Sequence, residues 1–119
     1  MSLEDQIAQA LLAVRFHVSD EDELQGAIAR VLSEAGIPHE REVCLTPKNR
    51  IDFMAADIGI EVKVQGTAGL IAEQLQRYAA CPQVRTLLLV TTRHRYGRFE
   101  GMTFLGKTVR VIRVTGGFL

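Results

Sequence analysis

The stretch that most constrains the fold is residues 84–91, VRTLLLVT, in which apolar residues follow one another without the alternation of a half-exposed strand. A run of this kind is typical of a strand that is covered on both faces of its sheet. Because such a sheet needs helices on each side, the rest of the chain must supply them. Amphipathic helices are therefore expected elsewhere in the sequence.

Three segments have apolar residues at helical spacing: residues 3–15, a segment that follows Ser19 and ends at Gly36, and residues 68–80. Ser19 is the expected N-cap of the second helix, because acidic residues follow it in the first turn, where the helix dipole favours them. Pro82 is expected to end the third helix.

Period-two patterning and the apolar run predict five strands. They cover residues 40–46, 50–56, 59–65, 84–91 and 107–114. The element order α-α-β-β-β-α-β-β predicts an α/β fold with a mixed central sheet flanked by helices. At 119 residues the chain has the size of one domain, so we expect a single domain over residues 1–119.

Composition argues against several classes of protein. No apolar stretch reaches the ~18 residues of a membrane-spanning helix, so we expect no membrane partner. The N-terminus lacks the basic lead and apolar run of a secretory signal, so we expect a cytoplasmic protein. Cys44 and Cys81 are then reduced thiols, too few and too far apart for a disulfide framework.

The net charge is zero, but the charges are unevenly distributed along the chain. Residues 1–42 hold nine acidic and three basic residues, whereas residues 84–119 hold seven basic residues and one acidic residue. A basic strip of this kind suits the phosphate groups of nucleic acid, and it is equally compatible with an ordinary solvated surface.

The polar residues of the second and third predicted strands carry the most functional information. Each strand has one apolar face, and a hairpin that turns at residues 57–58 pairs residues whose numbers sum to an odd total near 115, for instance Phe53 with Val62. The other face then gathers Asp52, Glu61, Lys63 and Gln65. Because carboxylates and an ammonium group are costly to desolvate on a central sheet, their retention indicates a function. The alternative is an exposed hairpin in which Asp52 and Lys63 form a weak surface pair.

Asp52 and residues 61–63, EVK, resemble the signature of the PD-(D/E)xK, or restriction-endonuclease-like, nuclease superfamily. The proline of that signature is Ile51 in this chain. Gln74 and Tyr78, one helical turn apart, are similar to a Q-x-x-x-Y motif of recombination-type nucleases. The resemblance implies a restriction-endonuclease-like fold and a metal-dependent hydrolase that cleaves the phosphodiester bonds of DNA.

Phosphodiester hydrolysis points to Mg²⁺ (or Mn²⁺) as cofactor, because a divalent ion activates water and offsets charge on the phosphoryl oxygens. Asp52 and Glu61 are the expected ligands, together with the carbonyl oxygen of Val62. The resemblance implies Glu23 as a further ligand, direct or through water. Its rivals in the same helical turn are Asp20, Glu21 and Asp22. Helix capping is the alternative role for all four acids.

Lys63 lies between two acids that favour its charged form, so we expect it to orient the attacking water and stabilise developing negative charge. Gln74 and Tyr78 are expected to hold a phosphate or the lysine; the alternative is a surface residue and a partly buried ring. The residues expected to contact the nucleic-acid backbone are Gln65, Arg77, Arg93, Arg95 and Arg98. Each arginine taken singly is also consistent with a solvated surface.

A catalytic core of this size has no room for a base-reading domain, so we expect a homodimer or a partner-protein subunit. The C-terminal strand with Phe118 and Leu119 is the expected dimer contact. Two alternatives stay open at this point. One is a homodimer resembling Holliday-junction resolvases, and the other is a non-catalytic nucleic-acid-binding or subunit module on the same fold.

Overall fold

The structure is a computed structural model that describes the backbone of residues 1–118 and the side chains of residues 1–116. The helices are α1 (Leu3–Leu12), α2 (Glu21–Glu34) and α3 (Ala68–Ala79), and a 3₁₀ helix covers His94–Phe99. The strands are β1 (Arg15–Val18), β2 (Glu40–Thr46), β3 (Asn49–Ala55), β4 (Ile58–Val62), β5 (Thr86–Thr91), β6 (Thr103–Phe104), β7 (Lys107–Arg113) and β8 (Thr115–Phe118).

Each α-helix begins after a residue whose side-chain oxygen accepts a hydrogen bond from the first turn. The N-caps are Ser2, Asp20 and Thr67. The prediction of Ser19 as the N-cap of α2 is wrong by one residue, because Asp20 Oδ1 accepts the bond from the Glu23 backbone N–H at 2.8 Å. After α2, Gly36 adopts a φ of +72°, a left-handed conformation that glycine reaches without strain.

The main sheet is mixed, as predicted. Its strand order is β2-β3-β4-β5-β7-β6, in which β4, β5 and β7 are parallel and the other neighbours are antiparallel. A separate two-stranded ribbon pairs β1 with β8 in parallel. Because β4, β5 and β7 point the same way, the residues that follow them lie along one edge of the sheet. This edge is where the polar residues of the EVK segment and the basic residues after β5 are located.

Helices cover both faces of the main sheet. On one face, α1 and α2 pack on a core that includes Phe53, Ile60 and Leu88. On the other face, α3 and the 3₁₀ helix pack on a core that includes Leu87 and Leu89. All six residues of β5 are buried, which confirms the prediction of a strand covered on both sides.

The β3–β4 hairpin has a register that keeps the numbers of partner residues at an odd total, as predicted. Phe53 pairs with Ile60, two residues from the example partner Val62, and a shift of two leaves alternating side chains on common faces. Ile51 departs from the predicted pattern, because it packs on the α3 face while Phe53 packs on the α1–α2 face. The neighbouring strand is also irregular here, since Glu42, opposite Asp52, has a φ of +51°.

Four short elements were not predicted from the sequence: β1, β6, β8 and the 3₁₀ helix. The helix predicted over residues 3–15 ends at Leu12, shortly before β1, which pairs with the distant β8. The strand predicted over residues 59–65 covers Ile58–Val62, so Gln65 lies outside it. The predicted dimer contact includes Phe118 and Leu119. The Phe118 side chain and Leu119 lie outside the described residues.

Candidate active site

Asp52 and Glu61 face each other where β3 and β4 separate. The last paired residues of the two strands are Phe53 and Ile60, and one further step in register brings Asp52 opposite Glu61. The backbone N–H of Asp52 donates to Glu61 Oε1 at 3.1 Å, and that of Val62 donates to Asp52 Oδ2 at 2.8 Å. The backbone of each strand thus holds the carboxyl group of the other. Asp52 and Glu61 are termed the acidic pair below.

Burial raises the pKa of both carboxyl groups in the acidic pair. Glu61 is 2% exposed, and its desolvation, followed by the negative charge of Asp52, raises its pKa to about 8. Desolvation is also the largest cause of the raised pKa of Asp52. A hydrogen bond between the two carboxyl groups raises the pKa of Glu61 and lowers that of Asp52. Burial of the two groups and the charge of Asp52 beside Glu61 thus favour a protonated carboxyl group in the acidic pair.

Lys63 lies on the same side of the β4 edge as the acidic pair. Its Nζ atom is 3.7 Å from Glu61 Oε2, and its side chain is 21% exposed. Its backbone N–H donates to the Val90 carbonyl at 3.0 Å, which continues the pairing of β4 with β5 beyond Val62. The ammonium group thus has one side toward the buried carboxyls and another toward solvent. The structure brings Asp52, Glu61 and Lys63 together, as the sequence predicts.

Tyr78 and Gln74 connect α3 to the acidic pair. The Tyr78 hydroxyl lies 3.1 Å from Glu61 Oε2 and 2.8 Å from the Arg50 carbonyl oxygen, and it accepts a hydrogen bond from Gln74 Nε2 at 2.8 Å. Burial first, and then the charge of Glu61, raises the pKa of Tyr78 above its ordinary value, so the hydroxyl stays protonated as a donor. The described contacts of this hydroxyl are with Glu61 and the β3 backbone, not with Lys63.

The acid that α2 contributes to this region is Glu21, not Glu23. Glu21 Oε1 accepts a hydrogen bond from the Val64 backbone N–H at 2.9 Å. Burial raises the pKa of Glu21, and smaller effects come from the charges of Lys63 and Asp52. The Glu23 carboxylate instead accepts hydrogen bonds from the backbone N–H of Ser19, at 2.6 Å, and from its hydroxyl. Glu23 is therefore an exposed capping residue, which is a correction to the predicted site.

The helical period of α2 contains the signal that selects Glu21. The buried residues of this helix include Leu24, Gln25 and Ile28. Glu21 precedes them by three, four and seven residues, which places it on the same helix face. Glu23 borders that face but is directed away from the sheet by its bonds with Ser19.

The predicted nucleic-acid contacts fall in different places. Arg93 Nε donates to the Val64 carbonyl at 2.9 Å, next to Lys63. Arg95 and Arg98 line a cavity at the start of α3. Arg77 Nε instead donates to Asn49 Oδ1 at 3.2 Å, at the opposite end of β3 from its turn with β4. Gln65 is exposed in the segment that follows β4 and does not join the acidic pair.

The donor chemistry of the acidic pair suits a hard divalent cation. Within residues 1–118, no group of three or more His, Cys, Asp and Glu side chains is assembled to hold a metal ion. Asp52 and Glu61 nevertheless offer carboxylate oxygens, which Mg²⁺ prefers, and a cation would offset the cost of ionising these buried groups, the main cause of their raised pKa values. Glu21 is the next acid of this region, because the charges of Lys63 and Asp52 also affect its pKa. Two protein carboxylates are compatible with Mg²⁺, which keeps several water ligands.

The fold and these side chains define an α/β protein with a buried acid–base cluster at the edge of its mixed sheet. Comparison with protein-family models, with curated proteins and with solved structures finds no match. Over the described part of the chain, none of the helices has the length and apolar character needed to cross a membrane.

Proposed function

We propose that this chain is a metal-dependent nuclease of the PD-(D/E)xK, restriction-endonuclease-like kind, which hydrolyses phosphodiester bonds of DNA with Mg²⁺ or Mn²⁺. The observation that carries the proposal is the buried acidic pair with Lys63 beside it at the end of a central strand. Stability alone gives little reason to keep two carboxyl groups desolvated and hydrogen-bonded to each other. Such perturbed clusters occur preferentially at functional sites.

Each member of the cluster has a role in this proposal. Asp52 and Glu61 hold the divalent ion, with the Val62 carbonyl as a further ligand and Glu21 as the acid that replaces Glu23. When bound, the ion supplies an activated water and offsets negative charge on the phosphoryl oxygens. The Lys63 ammonium, partly exposed beside Glu61, orients the attacking water and stabilises charge that develops on the phosphate.

Tyr78 acts as a positioning residue in this proposal. Its hydroxyl holds Glu61 Oε2, and Gln74 holds the hydroxyl from the next turn of α3. Because a side chain fixed in this way loses no further freedom when it binds a ligand, the acidic pair is preorganised. This role replaces the predicted contact of Gln74 and Tyr78 with a phosphate or the lysine.

A cleavage assay tests the proposal directly. Purified protein is incubated with plasmid, linear duplex, single-stranded and branched DNA, each with Mg²⁺, Mn²⁺ or a chelator. We expect cleavage with either metal and none with the chelator. The matched control for Lys63→Ala is Lys48→Ala, which removes an exposed lysine from the β2–β3 turn and should keep full activity. Equal activity of both variants and wild type would exclude Lys63 as the catalytic lysine.

Branched DNA also tests the resolvase-like alternative. A homodimeric resolvase should cut branched DNA in preference to the linear duplex. For either enzyme we expect a homodimer, because one site cuts one strand and duplex cleavage needs two. Light scattering that shows a monomer at high concentration, both free and bound to DNA, would contradict the dimer.

A non-catalytic nucleic-acid-binding or subunit module is the second candidate function. It is favoured by the hydrogen bonds that the acidic pair already makes, because each carboxyl group accepts one from a backbone N–H of the opposite strand. A polar network of this kind can also serve packing specificity alone. DNA binding without cleavage, and without metal binding at millimolar concentrations, would identify this module rather than the nuclease.

A further inference from the structure

The first turn of α3 and the 3₁₀ helix enclose a cavity of about 500 Å³ next to the segment that follows Lys63. This volume falls within the range of ligand-binding pockets. The lining residues are Gly66, Thr67, Ala68, Arg95, Tyr96 and Arg98. Two of them are arginines and none is acidic, and the first turn of α3 has no acidic residue either. We refer to it as the arginine cavity.

Hydrogen bonds hold the walls of the arginine cavity together. Tyr96 is 1% exposed, and its hydroxyl donates to the Gly66 carbonyl at 2.6 Å. Arg95 donates to the same hydroxyl at 3.0 Å, and its guanidinium lies 4.9 Å from the centre of the Tyr96 ring. The positive charge is thus positioned before any ligand arrives, which lowers the entropy cost of binding an anion.

The arginine cavity is close to the proposed active site along the chain. Gly66 follows Lys63 by three residues, so their Cα atoms are at most ~11 Å apart. That distance corresponds to about three nucleotides of one DNA strand, at a rise of ~3.4 Å each. Arg93 ties the two regions together, because its Nε donates to the Val64 carbonyl between them.

A second cavity of similar size fits a phosphate less well. It lies between the C-terminal half of α2 and β2, with a volume of about 520 Å³. Arg30 and Arg41 line it, but so does the acidic Glu34. Arg30 also lies nine residues along α2 from Glu21, which is ~14 Å from the acid nearest the active site. Charge and position therefore both favour the arginine cavity.

We propose that the arginine cavity binds a backbone phosphate of the DNA strand a few nucleotides from the one that is cleaved, with Arg95 and Arg98 as its ligands. The inference rests on the proposed nuclease function for the identity of the anion. It goes further by assigning the substrate strand a path, from the acidic pair past Lys63 to the start of α3. Binding through phosphates is independent of base sequence and depends strongly on salt.

The test measures binding without cleavage. Anisotropy of a labelled 12-base-pair duplex is recorded with a chelator over a series of NaCl concentrations, for wild type, Arg95→Gln, Arg98→Gln and the double variant. We expect the slope of log Kd against log salt to fall by about one for the double variant, which loses the contact with that one phosphate, and by no more than that for each single variant. Arg85→Gln is the control with the same charge change; it removes the partner of Asp57 and should leave the slope unchanged.

Melting curves and a measurement of inorganic phosphate binding distinguish the possible outcomes. Because Arg95 also packs on Tyr96, melting curves accompany each variant, and Arg98→Gln tests the proposal independently of that packing. A double variant that is folded and keeps the wild-type slope and affinity would overturn the inference, even if the wild type cleaves DNA. Binding of inorganic phosphate without any binding of the duplex would also overturn it.

If the double variant shows the reduced salt slope but the wild type never cleaves DNA, the arginine cavity is supported and the nuclease function is rejected. Preferential binding of a 12-base-pair RNA duplex over the DNA duplex would overturn the assignment of DNA as the ligand. Each result thus bears on the cavity separately from the chemistry of the acidic pair.

Discussion

An ion pair lies at each end of the β3–β4 hairpin, and the two pairs are in opposite environments; the base of the pair at the turn, Arg85, precedes β5. At the turn, Arg85 Nε lies 2.9 Å from Asp57 Oδ2, and both side chains are more than half exposed. At the open end, Lys63 Nζ lies 3.7 Å from Glu61 Oε2, and the Glu61 side chain is 3% exposed. The closer pair is the ordinary one, because water screens its charges.

The difference teaches that burial, and not the distance between opposite charges, raises the pKa of the acid at the open end. Desolvation is the largest cause of the raised pKa of Glu61, and the nearby Lys63 only partly offsets it. A buried acid with a pKa of about 8 can hold a proton or a cation, and it can exchange one for the other near neutral pH.

The largest expected contrast between the two ends is in cleavage. Lys63→Ala removes the charge that we propose stabilises the transition state and leaves both proposed carboxyl ligands in place. We expect DNA cleavage to fall by ~100-fold or more, as when a preorganised stabilising group is lost. Arg85→Ala, at the turn, should cleave at the wild-type rate. Full activity of a folded Lys63→Ala protein would break the comparison and the site assignment with it.

Metal binding should show the second-largest contrast between the two ends of the hairpin. Calorimetry with Mn²⁺ should show binding to the wild type and to Asp57→Asn, with affinity that increases from pH 6 to pH 8 as the proton leaves Glu61. Glu61→Gln should bind at least ~10-fold more weakly, because loss of even an outer contact to a metal ligand costs 10–100-fold. Similar affinities of the Glu61→Gln and Asp57→Asn variants would contradict the role of the acidic pair.

The dependence of stability on pH should separate the two ends in the metal-free protein. The pKa of Glu61 is about 8 in the folded state against an ordinary value of 4.5, so the folded state holds more protons between these pH values. The free energy of unfolding should therefore fall as pH rises through this range, by at most ~1.4 kcal/mol per pH unit.

Chemical denaturation with a chelator present, repeated between pH 5 and pH 8, measures this slope. Glu61→Gln should flatten it, because the amide does not titrate. Asp57→Asn should leave it as in the wild type. A flat profile for the wild type would show that Glu61 is ionised as easily in the folded chain as in the unfolded one.

The smallest effect is expected at the turn itself. Arg85→Ala removes an exposed ion pair, which contributes at most ~1 kcal/mol to the free energy of unfolding and less at high salt. The same denaturation experiment in low and high salt checks this. A loss well above 1 kcal/mol would mean that the short surface pair matters to the fold and that burial is not the deciding difference.

The sequence predicted much of the sheet and the core of the site. The apolar run at residues 84–91 and the alternation in residues 50–65 predicted the two-sided strand and the meeting of Asp52, Glu61 and Lys63. Both predictions depend on local patterns, because alternation in a strand alone decides which side chains share a face. The roles of these residues in metal binding and cleavage stay predictions.

Other features could not be predicted because they depend on contacts between distant parts of the chain. β1 forms only by pairing with β8, about one hundred residues later. Four acids within one turn of α2 are nearly equivalent in local terms. The choice of Glu21 depends on the position of the Val64 backbone N–H and on the capture of Glu23 by Ser19.

By itself, the sequence determined the helices, most of the strands and the gathering of an acid–base cluster on one hairpin, because side-chain periodicity is a local property. Only the tertiary structure decided the register of Phe53 with Ile60, the acid supplied by α2 and the pKa of Glu61. Register and burial depend on which surfaces pack together across the whole chain. Desolvation, the main cause of the Glu61 pKa, exists only once α3 and the sheet enclose that carboxyl group.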